Sequence, residues 1–512
     1  MKKKLALLHP FLFTLVAVLF TYLRTRVDIV PLEIIRPLLF LFAFVLLLIY
    51  PIYRILGNWN LTGIALSISV FGFYFPENLF LFVSSILVGV IVTWLGYMVI
   101  LKKERSIYQL TTLLNLTGGV LVLLGIAQVF LPIGRIPFEY FQNYLFEKKS
   151  IPNGRVMSSG EINTDPDIFY IVLDGYARMD ILRDLFNHDN SKFSDDLSSK
   201  GFIIPIANQS NYPRTPFSIS STLNMNYIDV LLPELDEIQF SWLVSPLIQD
   251  NEVAHILREI GYEIVSVRSG YSVVNNKKVD RYYQPYLIEL SEFEYFFIDQ
   301  TAFSLLEPLL AQITYVRSFE QHRNLIQFDF SALSSISKLP GPQFVYAHIV
   351  APHPPFVFDE LGGLPEPDYP FTLLDGTDYP GTKEQYREGY VKQVNFISEQ
   401  VIQLVSEILE NPERPQIIIL QADHGGGMLT DFSSSEATCL KERFSPLAAY
   451  YLPGVDEDAI PDDITPVNLF RIIFNEYFQA DFPLLENRYY FQDARDEISL
   501  EQINLSCESW IE

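Results

Sequence analysis

The stretch Asp167-Ile-Phe-Tyr-Ile-Val-Leu-Asp174-Gly-Tyr-Ala-Arg178 carries six consecutive apolar residues into an acid and a glycine. A short apolar run of this length reads as a buried strand. In open α/β sheets, sites lie outside the carboxyl ends of the strands. Asp174 stands at such an end, and Gly175 lets a ligand or another segment approach closely. The ordinary alternative is an aspartate that caps a turn or a helix. The residue alone does not separate the two.

The sequence around this stretch continues as an α/β pattern, with strand-length apolar runs alternating with helical stretches. Strands are expected at 168–173, Glu263–Val267, 343–350 and Gln416–Gln421. Helices are expected at 252–260, 385–409 and Pro466–Phe478. In the last, Leu469, Phe470, Ile473, Phe474 and Tyr477 fall on one face. Residues 281–330 are rich in aromatics (Tyr282, Tyr283, Phe293, Tyr295, Phe296 and Phe297) and read as a helical insertion whose rings pack or face a membrane.

Three more places pair a strand or helix end with polar chemistry. Pro415-Gln-Ile-Ile-Ile-Leu-Gln-Ala-Asp423-His424-Gly-Gly-Gly427 ends an apolar strand in an Asp-His pair. An oxygen ligand beside an imidazole suits Mn²⁺ or Zn²⁺, and the three glycines are expected to leave open space around it. In Arg214-Thr215-Pro216-Phe-Ser218, Thr215 reads as an N-cap with Pro216 at the first helical position. A helix amino terminus favours negative charge, so an alkoxide or phosphate there is stabilised. Thr465-Pro466 has the same grammar with no sign of chemistry. In Tyr346-Ala-His348-Ile-Val-Ala-Pro-His353-Pro-Pro-Phe356, prolines frame His353, which could act on a leaving group or donate to a phosphate oxygen. His348 lies within the strand and reads as a core residue.

The front of the chain differs in kind. Residues 1–135 carry 11 Lys/Arg and 4 Asp/Glu, whereas the remainder carries 25 and 57. The acidic balance of the larger part excludes nucleic acid as a partner, because phosphates are repelled. Segments 5–23, 37–53, 79–101 and 108–133 have about the length that crosses a hydrocarbon core of roughly 30 Å. The shorter 61–75 is taken as a fifth span. Lys2, Lys3, Lys4, Arg54, Lys102, Lys103 and Arg105 fall on one side, and Arg24, Arg26 and Arg36 on the other. The basic excess places the amino terminus in the cytoplasm, and five crossings put the acidic part outside. Residues 136–165 read as an interfacial helix and linker. The two cysteines, Cys439 and Cys507, permit one disulfide and no zinc pattern.

On the strength of Ile-Val-Leu-Asp174-Gly-Tyr-Ala-Arg178, Thr215-x-x-Ser218, His348-x4-His353 and Asp423-His424-Gly425, the chain resembles the alkaline phosphatase and sulfatase superfamily. It is most similar to the membrane-anchored branch containing lipoteichoic acid synthase and the phosphoethanolamine transferases. The resemblance implies a five-helix transmembrane region (1–135), a connection (136–165) and an α/β catalytic domain (166–480) with a mainly parallel sheet flanked by helices. A tail (481–512) would pack on that domain. It implies one divalent ion, Mn²⁺ first and Zn²⁺ or Mg²⁺ after it, held by Asp174, Thr215, Asp423 and His424. Thr215 would be the nucleophile, His353 a catalytic and phosphate-holding residue, and Arg178 a substrate-binding match. The implied partners are a lipid-linked phosphodiester donor and a hydroxyl acceptor, at the outer face of a plasma membrane. The phosphoethanolamine transferases carry a further His about a dozen residues past the Asp-His pair. Gly425–Phe444 has none, which favours a one-metal centre. A sulfatase would need a Cys/Ser-x-Pro-x-Arg motif, and Thr215-Pro-Phe-Ser-Ile does not supply it. Hydrolysis instead of transfer, and a non-catalytic binding protein, remain the alternatives.

Overall fold

The computed structural model describes residues 7–25, 31–73, 89–96, 104–133, 165–233, 241–315, 317–410, 414–491 and 501–502. The chain divides into two compact units, Met1–Phe141 with Tyr286–Val316, and Gln142–Pro285 with Arg317–Glu512. Part of the aromatic insertion therefore belongs with the amino-terminal helices and not with the unit that surrounds it in sequence.

The larger unit is built on a six-stranded sheet. Its strands are β1 (Asp167–Leu173), β2 (Glu263–Val267), β3 (Arg281–Tyr283), β4 (Gln343–Ile349), β5 (Gln416–Gln421) and β6 (Ala448–Tyr451), in the order β3-β2-β4-β1-β5-β6. All pairings are parallel except β5 with β6. The expected mainly parallel sheet is present, with two strands that the pattern did not reveal. β3 opens the stretch read as helical, because a three-residue strand is too short to show a period of two. β6 is the antiparallel edge.

β1 is central, paired on one side with β4 and on the other with β5. Alternation along it assigns its residues to two cores. Phe169, Ile171 and Leu173 pack with Ile326, Leu333, Ile397 and Val401 from the helices Phe319–Ile336 and Lys383–Leu409. Ile168, Tyr170 and Val172 pack with Ile219, Leu223, Leu469 and Phe470 from the helices Thr215–Leu223 and Pro466–Phe478. Burial on both faces is why the strand is apolar throughout. The carboxyl ends of β1, β4 and β5 consequently lie side by side, which sets the positions of Asp174, His353 and Asp423. Near the chain end, Tyr490 stacks on Tyr212 at 5.3 Å and its N–H donates to Asn211 O. Cys439 is buried and disulfide-bonded, and Cys507 lies outside the described residues.

The smaller unit holds the helices His9–Thr25, Ile35–Leu56, Trp59–Phe73 and Glu104–Ile133. Two helical stretches of 26 residues, Pro31–Leu56 and Ser106–Leu131, are long and apolar enough to cross a membrane, while His9–Arg24 and Trp59–Val70 are shorter. Of the span 79–101, only 89–96 is described, and the 136–164 part of the connection is outside the described residues. The first and last helices run in the same direction. Leu12 fills the space at Gly118, Leu19 that at Gly125, and His9 N–H donates to Asn115 Oδ1. A constant offset along two helices occurs only when they are parallel. Large apolar side chains stay exposed on these helices, among them Phe40, Leu47, Leu116 and Leu123.

Candidate active site

The loops leaving β1, β4 and β5 are tied to one another. Asp174 N–H donates to Ile349 O, and His353 N–H donates to Asp174 O, each at 3.0 Å, so the β1–β4 pairing continues past the strand ends. Gly175 has φ +71°, the left-handed region that favours glycine. Its N–H donates to Asp423 Oδ1 at 3.1 Å, and its carbonyl accepts from Tyr390 Oη. One backbone turn thus holds two acids in place.

Asp174, Asp423 and His424 converge, all buried, with one ligand atom from each within 4.8 Å of the others. His424 Nε2 is 3.5 Å from Asp174 Oδ1 and 3.2 Å from Asp423 Oδ2. Metal bonds of about 2.0–2.2 Å in a tetrahedral site give ligand separations of roughly 3.3–3.6 Å. Among the described residues, Asp174 Oδ1 and Asp423 Oδ2 are buried and find no hydrogen-bond partner. Buried orphan acceptors are costly, and a cation between them would satisfy both. His424 Nδ1–H donates to Gly425 O at 2.9 Å, which fixes the tautomer and leaves Nε2 as the lone-pair atom facing the carboxylates. Burial and the neighbouring Arg443 bring the His424 pKa down to about 3, so the ring stays neutral. These residues fit a divalent ion.

Protonation agrees with that fit. Burial and the adjacent Asp423 push the Asp174 carboxyl well above the usual range. Burial also works to raise Asp423, but His424, His348, the Thr215 hydroxyl and the Gly175 N–H bring it below. Two buried acids side by side resist carrying two charges unless a cation joins them.

Thr215 joins this group. Its Oγ1 is 3.1 Å from His424 Nε2, and the hydroxyl is among the groups that lower the Asp423 carboxyl. The expected N-cap is displaced by one residue: Arg214 takes the cap position and Thr215 is the first residue of the helix. Ser218 Oγ donates to Asp423 O at 2.7 Å, tying the helix to the β5 loop. His353 is nearby, its ring 6.2 Å from that of His424, with Nδ1–H donating to Pro354 O and Nε2 3.6 Å from Asp375 Oδ2. Arg178 bonds residues other than the candidate ligands. Its guanidinium grips Asp180 through two bonds and donates to Asn208 O.

Three residues that sequence reasoning left aside also face the site. Arg443 is buried and donates to Asp375 Oδ2 at 2.6 Å, to His424 Nε2 at 3.1 Å and to Pro213 O at 2.8 Å. Its guanidinium carbon and that of Arg214 lie 5.0 and 4.6 Å from the Phe432 ring centre. Asp375 receives Tyr386 Oη at 2.9 Å. Burial works to raise Asp375, but Arg443, His353 and His424 hold it well below the usual range. His348, read as a core residue, is buried, yet its Nε2 lies 3.5 Å from Asp174 Oδ2 and its Nδ1 is 2.7 Å from Ser269 Oγ. Nothing local marks Arg443 or Asp375. Lys441-Glu-Arg443 looks like a solvated charged turn, and Asp375-Gly376 like a loop.

The expectation of open space at Gly425, Gly426 and Gly427 is corrected. A Cβ at Gly425 would meet Glu442 O at 2.0 Å, and one at Gly427 would meet Asp375 Oδ1 at 2.2 Å. The glycines let these two segments press against the loop, so the space is filled by protein.

No family model matches the chain, and no curated protein matches it. Solved structures do. The soluble domain of lipooligosaccharide phosphoethanolamine transferase A from Neisseria meningitidis aligns at 12% identity and TM-score 0.42, covering 62% of this chain and 89% of that one. The integral membrane form from the same organism aligns at 12% identity and TM-score 0.39, covering 90% and 92%. A 2-O GAG sulfatase aligns at 12% identity and TM-score 0.39, covering 62% and 72%. These likenesses are remote, and the functional assignment rests on the site itself.

Proposed function

We propose that the protein is a membrane-anchored, metal-dependent transferase that moves a phosphoryl-linked group from a phosphodiester, through Thr215, to a hydroxyl acceptor. The carrying observation is the placement of the Thr215 hydroxyl against His424 and Asp423, inside the cluster of candidate ligands. Asp174, Asp423, His424 and Thr215 would hold one divalent ion, with Mn²⁺ favoured because the donors are chiefly oxygens. Such an ion supplies Lewis acidity, lowering a hydroxyl pKa and polarising a phosphoryl oxygen.

The side chains divide the remaining work. Thr215 Oγ forms a bond to phosphorus as the bond to the leaving alcohol breaks, and its proton passes to the neighbouring Asp423 carboxylate. In its imidazolium form, with Nδ1–H kept on Pro354 O, His353 gives the leaving oxygen a proton from Nε2, the nitrogen that Asp375 faces. The acceptor hydroxyl then attacks the phospho-threonine, and the same groups act in reverse. Arg443 directs a guanidinium N–H toward His424 Nε2, where it can meet a phosphoryl oxygen. The parallel first and last helices support the membrane side: if both cross, the crossings are odd in number, as an extracytoplasmic site requires. Arg36, which weighs against that orientation, is paired with Glu294 at 2.6 Å. A chain anchored this way points to a lipid-linked donor.

The test is Mn²⁺-dependent cleavage of a chromogenic phosphodiester, beside the matching sulfate ester, by the parent protein and Thr215→Ala. Phosphodiester turnover that is lost in the variant supports the reading. Sulfate-ester turnover that survives the substitution overturns it.

A further inference from the structure

The segment Tyr286–Val316 leaves the larger unit after β3 and packs with the amino-terminal helices. Its inner face is aromatic and aliphatic. Phe293 and Phe297, with Leu305 beside them, join a core with Leu19, Tyr22, Leu41 and Val129. The contact is also polar: Arg36 pairs with Glu294, and Phe293 N–H donates to Glu33 Oε2 at 3.2 Å. A capping box at Ser291 and Glu294 fixes the start of the helix Glu292–Asp299.

Among the described residues, the outer face has no such cover. Leu287 is 85% exposed and Leu309 65%, and Ile288, Leu306 and Ile313 are exposed with them. Leu306, Leu309 and Ile313 follow one another at helical spacing across 302–310 and the turn after it. Ile288 N–H donates to Ile313 O at 2.9 Å, which brings Leu287 and Ile288 alongside. Five large aliphatic side chains therefore lie on a segment of about thirty residues, a patch that monomeric soluble surfaces seldom carry.

We propose that this outer face is a lipid-contact surface, seated at the boundary between headgroups and acyl chains. Two observations choose lipid as the occupant. The inner face is continuous with the helices whose own exposed side, including Leu123 and Leu131, is apolar. Its direct partners also cluster at one end of those helices: Tyr22, late in the first, has its ring 6.1 Å from that of Phe293, and Glu33 and Arg36 lie just before and at the start of the second. That is the end at which the chain emerges from Glu104–Ile133, and a segment there meets the membrane surface. The inference rests on the membrane-anchored reading above.

The experiment uses the full chain in nanodiscs of phosphatidylethanolamine and phosphatidylglycerol. Nitroxide is attached in turn at Leu309→Cys, Leu287→Cys, Leu123→Cys and Leu361→Cys, with the unsubstituted protein as the labelling background. Leu361, 94% exposed in the larger unit, is the aqueous reference. Power saturation compares access of oxygen with that of a water-soluble nickel chelate. The expected result is that oxygen exceeds nickel at positions 309, 287 and 123, and the reverse holds at 361. Lipid exposure at 123 with water exposure at 309 or 287 overturns the lipid-contact surface and leaves the anchor standing. Water exposure at 123 overturns both.

Discussion

Two helices of the larger unit begin with the same dipeptide, Thr215-Pro216 and Thr465-Pro466. Both threonines are buried. Thr465 sits at the N-cap of its helix, and its hydroxyl donates to Asn487 Oδ1 at 3.0 Å. Thr215 lies one residue further in, behind Arg214, and its hydroxyl meets His424 and Asp423. Identical local grammar thus starts two helices, and only one start faces the strand ends. The difference teaches that the cap signal reports a helix boundary, whereas chemistry depends on what the fold sets opposite the hydroxyl.

The largest expected effect separates these two threonines. Thr215→Val should lower metal-dependent turnover by about 10³-fold or more, as loss of a nucleophile does. Thr465→Val should leave turnover unchanged and cost about 1 kcal/mol of stability for one lost hydrogen bond. Parallel kinetics and denaturant melts measure both, and equal losses of activity would break the comparison.

Arg443 sharpens it from the other side of the cluster. Arg443→Met should reduce turnover by about 10²–10³-fold, through loss of a donor aimed at developing charge. It should also cost roughly 3–5 kcal/mol, because Asp375 is left as an unpaired buried charge. Arg443→Lys should recover much of the stability and little of the rate, since one ammonium cannot serve Asp375 and the His424 side together. Recovery of both would reduce Arg443 to a charge that balances Asp375.

The smallest effect concerns the loop beyond the ligands. Glu442 accepts from Met428 N–H and Leu429 N–H, and burial raises its pKa to about 7. A carboxyl raised on folding binds more protons in the native state. Its contribution is therefore fully present below about pH 4.5 and is lost as pH rises to about 7, by roughly 3 kcal/mol across that window. Glu442→Gln should flatten this slope in melts at pH 5 and pH 7, at a cost of about 1–2 kcal/mol for one unpaired N–H. An unchanged slope would assign the pH dependence to the ligand cluster itself.

Much of this was legible in the chain. The buried strand, its terminal Asp174, the Asp-His pair and the position of Thr215 each have a local signature, because strand ends and helix starts are written in nearest-neighbour chemistry. β3 and β6 were not legible, because short edge strands take their pairing from neighbours and not from period. The insertion 281–330 was read as one piece, but its aromatics divide between two units. Phe293 and Phe297 pack on helices more than 150 residues away in sequence.

By itself the sequence determined an apolar, slightly basic front, an acidic α/β unit with a buried central strand, and an Asp, a Thr, a His and an Asp-His pair at element ends. Those follow from composition and local periodicity, which need no long-range contact. Only the tertiary structure decided that Arg443 and Asp375 join the cluster, that His348 faces Asp174, and that the glycines after His424 are packed shut. Each of these depends on separations of 17 to more than 170 residues being closed by the fold. No local pattern encodes which charge will be carried across such a gap.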